Sequence, residues 1–90
     1  MPNMSGTFTA TGQSTNFAVM GKFNISLSGT WAGTVRLERS YDNGSTWVVV
    51  GSYTSNTETI GEEPETAVLY RFNCTVYTSG TVVYRLGRPD

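Results

Sequence analysis

The chain has 90 residues, of which 38% are hydrophobic, 12% aromatic and only 14% charged. This length suits one small domain with a single hydrophobic core. Six Lys and Arg against seven Asp and Glu give a net charge of −1, which argues against nucleic-acid binding because phosphate recognition needs a cluster of basic residues.

Residue types that are missing or rare exclude several kinds of site. The sequence has no His, which is the commonest metal ligand and the commonest general base near neutral pH. Its one Cys, Cys74, cannot form an intramolecular disulfide or a cysteine-based zinc site alone, and its place between Phe72 and Val76 predicts a buried, unreactive thiol. No apolar run reaches the ~18–20 residues of a membrane span, and residues 1–12 lack the features of a signal peptide. We therefore expect no metal or cofactor, no membrane or nucleic-acid partner, and folding in a reducing cytosol.

Along almost the whole chain, a series of mostly apolar residues alternates with polar residues. This is the two-residue period of β-strands. In chain order the series are Phe8 and Ala10; Phe17 and Val19; Phe23, Ile25, Leu27 and Trp31; Val35, Leu37, Arg39 and Tyr41; the run Trp47 to Val50; Val68, Tyr70, Phe72, Cys74 and Val76; and Val82, Tyr84 and Leu86. Gly, Asn, Asp and Ser separate these series, as turn residues do. The pattern predicts an all-β fold, an antiparallel β-sandwich of about seven or eight strands that is immunoglobulin-like or a related Greek key.

The same pattern sets the expected domain limits. We expect a flexible N-terminal arm at residues 1–5, a single β-sandwich domain at residues 6–87 and a C-terminal tail at residues 88–90. The segment Gly61–Glu65 contains Pro64 and three Glu, and it is predicted to be a loop. The reasons are that proline cannot donate to a strand ladder and that neighbouring carboxylates repel each other.

The most distinctive motif lies between two predicted strands and matches the Asp-box spacing S-x-D-x-G-x-T-W. The matching residues are Ser40, Asp42, Gly44, Thr46 and Trp47. An Asp carboxylate at this position can accept hydrogen bonds from backbone N–H groups of a turn, and the Gly supplies a positive φ without steric cost. In families that carry it, the Asp-box is typically remote from the active site, so we interpret it as a structural hairpin turn. A calcium site at this turn is disfavoured because no Glu lies at the expected distance downstream.

Charged side chains provide candidate interface residues. They are Arg36, Arg39, Arg71, Glu62, Glu63 and Glu65. Arginine forms forked hydrogen bonds to carboxylates and is enriched at interfaces, so we weigh contacts with a neighbouring subunit equally against pairing within the sheet. Arg39 belongs to the series of Val35 and Leu37, and we expect it to be partly buried or paired across strands. For the Glu residues a solvated acidic loop is favoured over acid–base or cation-binding chemistry.

A second resemblance is carried by several segments of the chain. They are Gly29–Ser40, the Asp-box, Glu63–Glu65, Tyr70–Arg71, Cys74–Thr75 and Tyr77–Leu86. Over about Gly6–Leu86 the chain resembles a group of small virion-associated proteins encoded by tailed bacteriophages and prophages. The resemblance implies a non-enzymatic structural protein, and it carries over no catalytic residue. It implies a capsid decoration or cement protein that contacts phage capsid or tail proteins, as a homo-oligomer or in many copies on the virion, after assembly in the bacterial cytoplasm.

Other functions stay open from the sequence. A tail or head–tail connector component is a close variant of the virion function. A carbohydrate-binding module for host adhesion would use exposed aromatic rings, for which Trp31, Tyr53, Tyr77 and Tyr84 are the candidates. A small glycosidase would need two carboxylates about 5–10 Å apart in a cleft. For a virion protein, we expect burial against partners to supplement a thin core, with sheet edges open to a partner strand.

Overall fold

The computed structural model describes residues 3–88, apart from the side chains of Thr66 and Ala67. In chain order these residues form the strands β1 (Asn3–Phe8), β2 (Gly12–Gln13), β3 (Phe17–Ser28), β4 (Trp31–Ser40), β5 (Val48–Tyr53), β6 (Thr57–Gly80) and β7 (Val82–Gly87). This confirms the predicted all-β class. Within the described part of the chain there is no helix of the length and hydropathy needed to cross a membrane.

The strands pair antiparallel in a single hydrogen-bonded sheet. Its order is β1-β7-β3-β6-β4-β5, and β2 pairs with β6 beside this path. The antiparallel pairing and the strand number agree with the prediction. The two separate sheets of a sandwich, and with them the immunoglobulin-like arrangement, are not confirmed, because one continuous sheet contains every strand described.

The sheet folds over on itself at β6, which gains a second partner strand along its length. Residues 57–63 of β6 pair with β3 alone, whereas residues 69–80 pair with β4, and residues 68–70 also pair with β3. Between these halves the register jumps from Gly21↔Glu63 to Val19↔Val68, so residues 64–67 of β6 bulge opposite Met20. Such an insertion bends a strand and increases its twist, and Gly21 accommodates the bend on the β3 side with a φ of 76°.

The core lies between the two facing parts of the folded sheet. Its residues, each at most 8% exposed, are Met4, Phe8, Val19, Phe23, Ile25, Leu27, Val35, Leu37, Val68, Tyr70, Phe72, Cys74, Val82, Tyr84 and Leu86. The rings of Phe72 and Tyr84 lie 5.3 Å apart although their strands, β6 and β7, are not neighbours in the sheet. A flat sheet cannot make such a contact between non-neighbouring strands, so the sheet must fold over to bring the two rings together. Cys74 is buried as predicted, and burial raises the pKa of its thiol.

The predicted alternation is wrong at the far end of β6. Val76 was expected on the core face but is 51% exposed, and Tyr77 packs against the core instead. The register there runs from Thr34↔Val76 to Val35↔Cys74, which leaves Thr75 without a partner. A single extra residue shifts the period-two pattern to the other face of the sheet.

The predicted ends and loop also need correction. Residues 3–5 are not a flexible arm but part of β1, paired with β7, and Met4 packs into the core because it continues the series of Phe8. Residues 1, 2, 89 and 90 lie outside the described residues. The segment Gly61–Glu65 is not a loop but part of β6. Pro64 is tolerated because it falls in the bulge, where it has no partner in β3 to which it would donate.

Shortening a core side chain tests the position of the core. We expect Phe72→Ala, at a side chain that is 0% exposed, to lower the free energy of unfolding by about 3–5 kcal/mol through lost burial and a cavity. Val76→Ala, on the same strand but exposed, should cost less than about 1 kcal/mol. Urea titration followed by tryptophan fluorescence measures both, and equal losses would contradict the described register.

Candidate functional site

A cleft of about 460 Å³ opens between β5 and the first part of β6. Val50 and Tyr53 of β5 line one wall, residues 59–65 of β6 line the other, and Phe23 and Leu37 belong to the apolar floor. Among the described strands, β5 pairs only with β4, and residues 57–63 of β6 pair only with β3. Each wall of the cleft is therefore a strand with one unpaired edge.

A buried ion pair closes one end of the cleft. Arg39 Nε donates to Glu63 Oε1 and Arg39 Nη2 donates to Glu63 Oε2, both at 2.9 Å. The Tyr70 hydroxyl donates to Oε1 at 2.7 Å, and the backbone N–H of Glu65 donates to Oε2 at 2.9 Å. The side chain of Glu63 is 0% exposed and that of Arg39 is 20% exposed. The carboxylate thus accepts four hydrogen bonds in exchange for the water that it loses.

These contacts determine the charge state of the pair. Burial raises the pKa of Glu63, but the hydrogen bonds from Arg39, Tyr70 and the Glu65 backbone together outweigh burial and hold the pKa below its ordinary value. The pKa of Tyr70 is raised to about 12, first by burial and then by its hydrogen bond to the Glu63 carboxylate. The pKa of Arg39 is also raised, chiefly by its hydrogen bonds to Glu63 and Glu65. At neutral pH the cluster is therefore a fixed ion pair with a protonated phenol.

The acidic residues do line one cleft, which the prediction of a solvated loop did not anticipate. Glu62, Glu63 and Glu65 all border it, and Arg39 Nη2 also bonds Glu65 Oε2 at 3.1 Å. A glycosidase acid needs a raised pKa so that it holds a proton at working pH. The pKa of Glu63 is shifted in the opposite direction, so Glu63 does not suit the role of the general acid. Among residues 3–88, no group of three or more His, Cys, Asp or Glu residues is placed to bind a metal ion.

A second ion pair lies on the outer face of the sheet. Arg71 Nε donates to Glu38 Oε1 at 2.8 Å, and Asn73 Nδ2 donates to Glu38 Oε2 at 3.1 Å. The Arg71 guanidinium also stacks over the Trp47 ring, 4.1 Å from its centroid. Glu38 was not recognised from the sequence, because only the register of β4 and β6 places it opposite Arg71.

The candidate interface residues thus divide into two groups. Arg39, Arg71, Glu63 and Glu65 make ion pairs within the chain. Arg36 and Glu62 are exposed on the surface. Tyr70, which the sequence indicated only as a core residue, joins the first group through its hydroxyl.

The Asp-box residues form the turn between β4 and β5 as a closed hydrogen-bond network. Ser40 Oγ donates to Asp42 Oδ1, the Gly44 N–H donates to Ser40 Oγ, and the Thr46 N–H donates to Asp42 Oδ1, each at 2.8 Å. Asn43 and Gly44 have φ values of 62° and 94°. The Thr46 N–H, followed by the Ser40 hydroxyl, lowers the pKa of Asp42. The predicted hairpin turn is therefore observed, and it fixes where β5 begins.

The aromatic candidates are spread over the fold. Trp31, Tyr53 and Tyr77 are partly buried against the core, Tyr84 is buried, and Tyr41 is the exposed ring at 58%. Trp31 Nε1 donates to Asn56 Oδ1 at 2.8 Å. In the described part of the chain, the ring contacts are those of Phe8 and Phe72 with Tyr84 and of Phe23 with Tyr70, all within the core. The structure thus does not bring Trp31 into ring contact with a tyrosine.

Removing Arg39 tests the energetic role of the ion pair. We expect Arg39→Met to lower the free energy of unfolding at pH 7 by about 3–5 kcal/mol, because it leaves the Glu63 carboxylate buried without its cation. The double variant Arg39→Met/Glu63→Gln should recover part of this loss. The exposed neighbour variant Arg36→Met should change stability by less than about 1 kcal/mol.

The same variant has a pH signature. Since the folded pKa of Glu63 lies below its ordinary value of 4.5, the wild-type stabilisation is complete above that pH and is lost as pH falls through the folded pKa. In Arg39→Met the unpaired buried acid favours protonation, so its pKa rises above 4.5, and the stability difference from wild type should shrink as pH falls from neutral through this raised pKa and on through the lowered pKa of the wild type. Urea titrations between neutral and acid pH measure this difference, and a loss that does not vary with pH would contradict the role of Glu63.

A substitution in the Asp-box tests the turn. Gly44→Ala should destabilise the protein by about 1–2 kcal/mol, because a side chain is strained at a φ of 94° although its Cβ would meet no atom closer than 3.9 Å. Asn43→Gly, at the preceding positive φ, should change stability by less than about 0.5 kcal/mol. Thermal unfolding compares the two variants, and a neutral Gly44→Ala would contradict the described turn.

Comparisons of the chain with protein-family models, with curated proteins and with solved structures give no match. The function proposed below therefore rests on the residues of this chain.

Proposed function

We propose that this chain is a non-enzymatic structural protein of a tailed-phage virion, a decoration or cement protein on the capsid exterior that acts through protein–protein contacts. The observation that carries the proposal is the exposed aliphatic surface of the two strands that border the cleft, of which Val50 and Ile60 line the cleft itself. Val48, Val49 and Val50 of β5 are 40%, 45% and 48% exposed, and Ile60 of β6 is 74% exposed. Aliphatic side chains concentrated at an unpaired strand edge are typical of a surface that another protein covers.

The state of the polar groups supports binding in preference to chemistry. The buried carboxylate of the cleft is Glu63, and it is neutralised by Arg39 and held by Tyr70. A nucleophile or general base needs a free lone pair at the site, and this carboxylate has its oxygens occupied. The cleft therefore presents apolar surface and unpaired strand edges to a binding partner.

Particle assembly also suits the energetics of so small a chain. A domain of this size buries a modest fraction of its surface and has a thin stability margin. Binding of the folded state to a particle adds stability by mass action, and many copies on a symmetric lattice add weak contacts into strong attachment. The resemblance to phage virion proteins over about Gly6–Leu86 points to the same class of function.

Copy number on purified particles tests the proposal. We expect quantitative mass spectrometry of virions from the phage that encodes this chain to find on the order of hundreds of copies, as symmetric capsid decoration requires. A handful of copies would assign the protein to the tail instead, and its absence from particles would contradict the virion function.

A pair of variants links the copy number to the aliphatic surface. Ile60→Lys places a charge on that surface and should reduce the copies per particle. Val76→Lys, at a side chain 51% exposed on the other half of β6, should not. Equal incorporation of both variants would contradict the assignment of β5 and β6 as the contact surface.

A further inference from the structure

We infer that the cleft between β5 and residues 57–65 of β6 binds one extended segment of a partner protein, a strand in which aliphatic and basic residues alternate. The inference rests on the proposed function, since it specifies the chemistry of the protein that covers the aliphatic surface. Three features carry it: two unpaired strand edges, an apolar floor, and an excess of acidic side chains.

The two walls are free edges that can accept a strand. An unpaired edge presents a row of backbone N–H and C=O groups, which pair with an extended peptide by β-augmentation. Proteins usually protect such edges with Lys, Pro or an inward-pointing charge. The sequence of β5, V-V-V-G-S-Y, contains none of these protective residues. The edge of β5 is therefore suited to pairing with a strand of another protein.

The floor of the cleft suits aliphatic side chains. Phe23, Ile25 and Leu37 are buried core residues that also line the cleft, and Val50 and Ile60 flank its mouth. Side chains of a strand point alternately to opposite faces. Every second residue of a bound segment would therefore enter this apolar space, which favours aliphatic residues at those positions.

The charge of the cleft suits basic residues at the remaining positions. Three acidic residues line the cleft, Glu62, Glu63 and Glu65, against one basic residue, Arg39. Lys22 is the cross-strand neighbour of Glu62, and with it counted the acids still outnumber the bases. Glu62 and Glu65 are exposed, so lysine or arginine on the outer face of a bound strand could reach them.

A second copy of this chain does not supply such a strand. Its strand-borne basic residues are Lys22, Arg36, Arg39, Arg71 and Arg85, on β3, β4, β6 and β7. Arg36, Arg39 and Arg85 each lie between two neighbouring strands, whereas Lys22 is already paired with Glu62 of β6 and Arg71 with Glu38 of β4. The strands at the ends of the sheet path, β1 and β5, carry no charged residue. The occupant is therefore a different protein.

The direct test uses the full chain labelled with ¹⁵N and a short synthetic peptide in which lysine and valine alternate. We expect saturable amide shifts confined to β5 and residues 57–65. A peptide of alternating glutamate and valine should not produce them. Nor should a lysine–valine peptide N-methylated at every backbone nitrogen, because it has no N–H group left to donate the strand hydrogen bonds.

Variants locate the binding. Glu62→Lys should weaken binding of the lysine–valine peptide about threefold to tenfold, and Val50→Lys should weaken it similarly. Val76→Lys, matched to Val50 in exposure, should leave the affinity unchanged.

Four results would overturn the inference. They are no saturable shift, shifts spread over the whole surface, equal binding of the N-methylated peptide, or dimerisation of the protein alone that Val50→Lys abolishes. The peptide titration involves no particle, so its failure leaves the copy number on virions as a separate test of the proposed function.

Discussion

The ion pair between Arg39 and Glu63 is the interaction on which the shape of this protein depends. Glu63 stands immediately before the bulge at residues 64–67 of β6, and Tyr70, which donates to it, stands after the bulge. Within the bulge, the Glu65 N–H donates to the same carboxylate. One buried carboxylate therefore ties both sides of the bend together, and Arg39 ties the bend to β4. Because burying an unpaired carboxylate is costly, any conformation that separates these groups is disfavoured.

This bend creates the cleft. Before it, residues 57–63 of β6 pair with β3 alone, and after it β6 pairs with β3 at residues 68–70 and with β4 at residues 69–80. The first part of β6 is thereby led away from β4 and β5, which leaves an unpaired edge on each side of the gap. The Asp-box turn fixes the opposite wall, because the bonds of Ser40 and Asp42 determine where β5 begins. Two polar networks thus position the two walls, and the same hydrogen bonds leave the Glu63 carboxylate fully occupied. The cleft is thus a preformed surface, and preformed surfaces lose less entropy on binding.

The sequence predicts what depends on local spacing and misses what depends on pairing. Alternation identified core residues such as Ile25, Leu37 and Phe72 because strand side chains have a fixed period of two. The Asp-box turn was predictable because its bonds join residues within four positions of one another. Bulges were not predictable, since they reflect how two distant strands align. The bulge at Thr75 places Val76 on the outer face. The bulge after Glu63 accommodates Pro64, so that a strand continues where the sequence predicted a loop. The partner of Arg39 lies 24 residues away, so only the register of the folded sheet reveals it.

An uncharged free edge raises the problem of how a protein avoids pairing with itself. Two β5 edges could join without any backbone obstacle, because the strand V-V-V-G-S-Y carries no charge or proline. The acidic residues Glu62 and Glu65 on the facing wall give this chain a means of discrimination. A second copy placed in the cleft offers a free edge without basic residues to balance these carboxylates, whereas a strand with lysine or arginine gains from the same groups. The unpaired backbone edges give affinity for any extended strand, and the charged side chains around them determine which strand binds more tightly. On this view the acidic segment Gly61–Glu65, which the sequence predicted to be a solvated loop, contributes binding specificity, and the exposed valines of β5 contribute affinity.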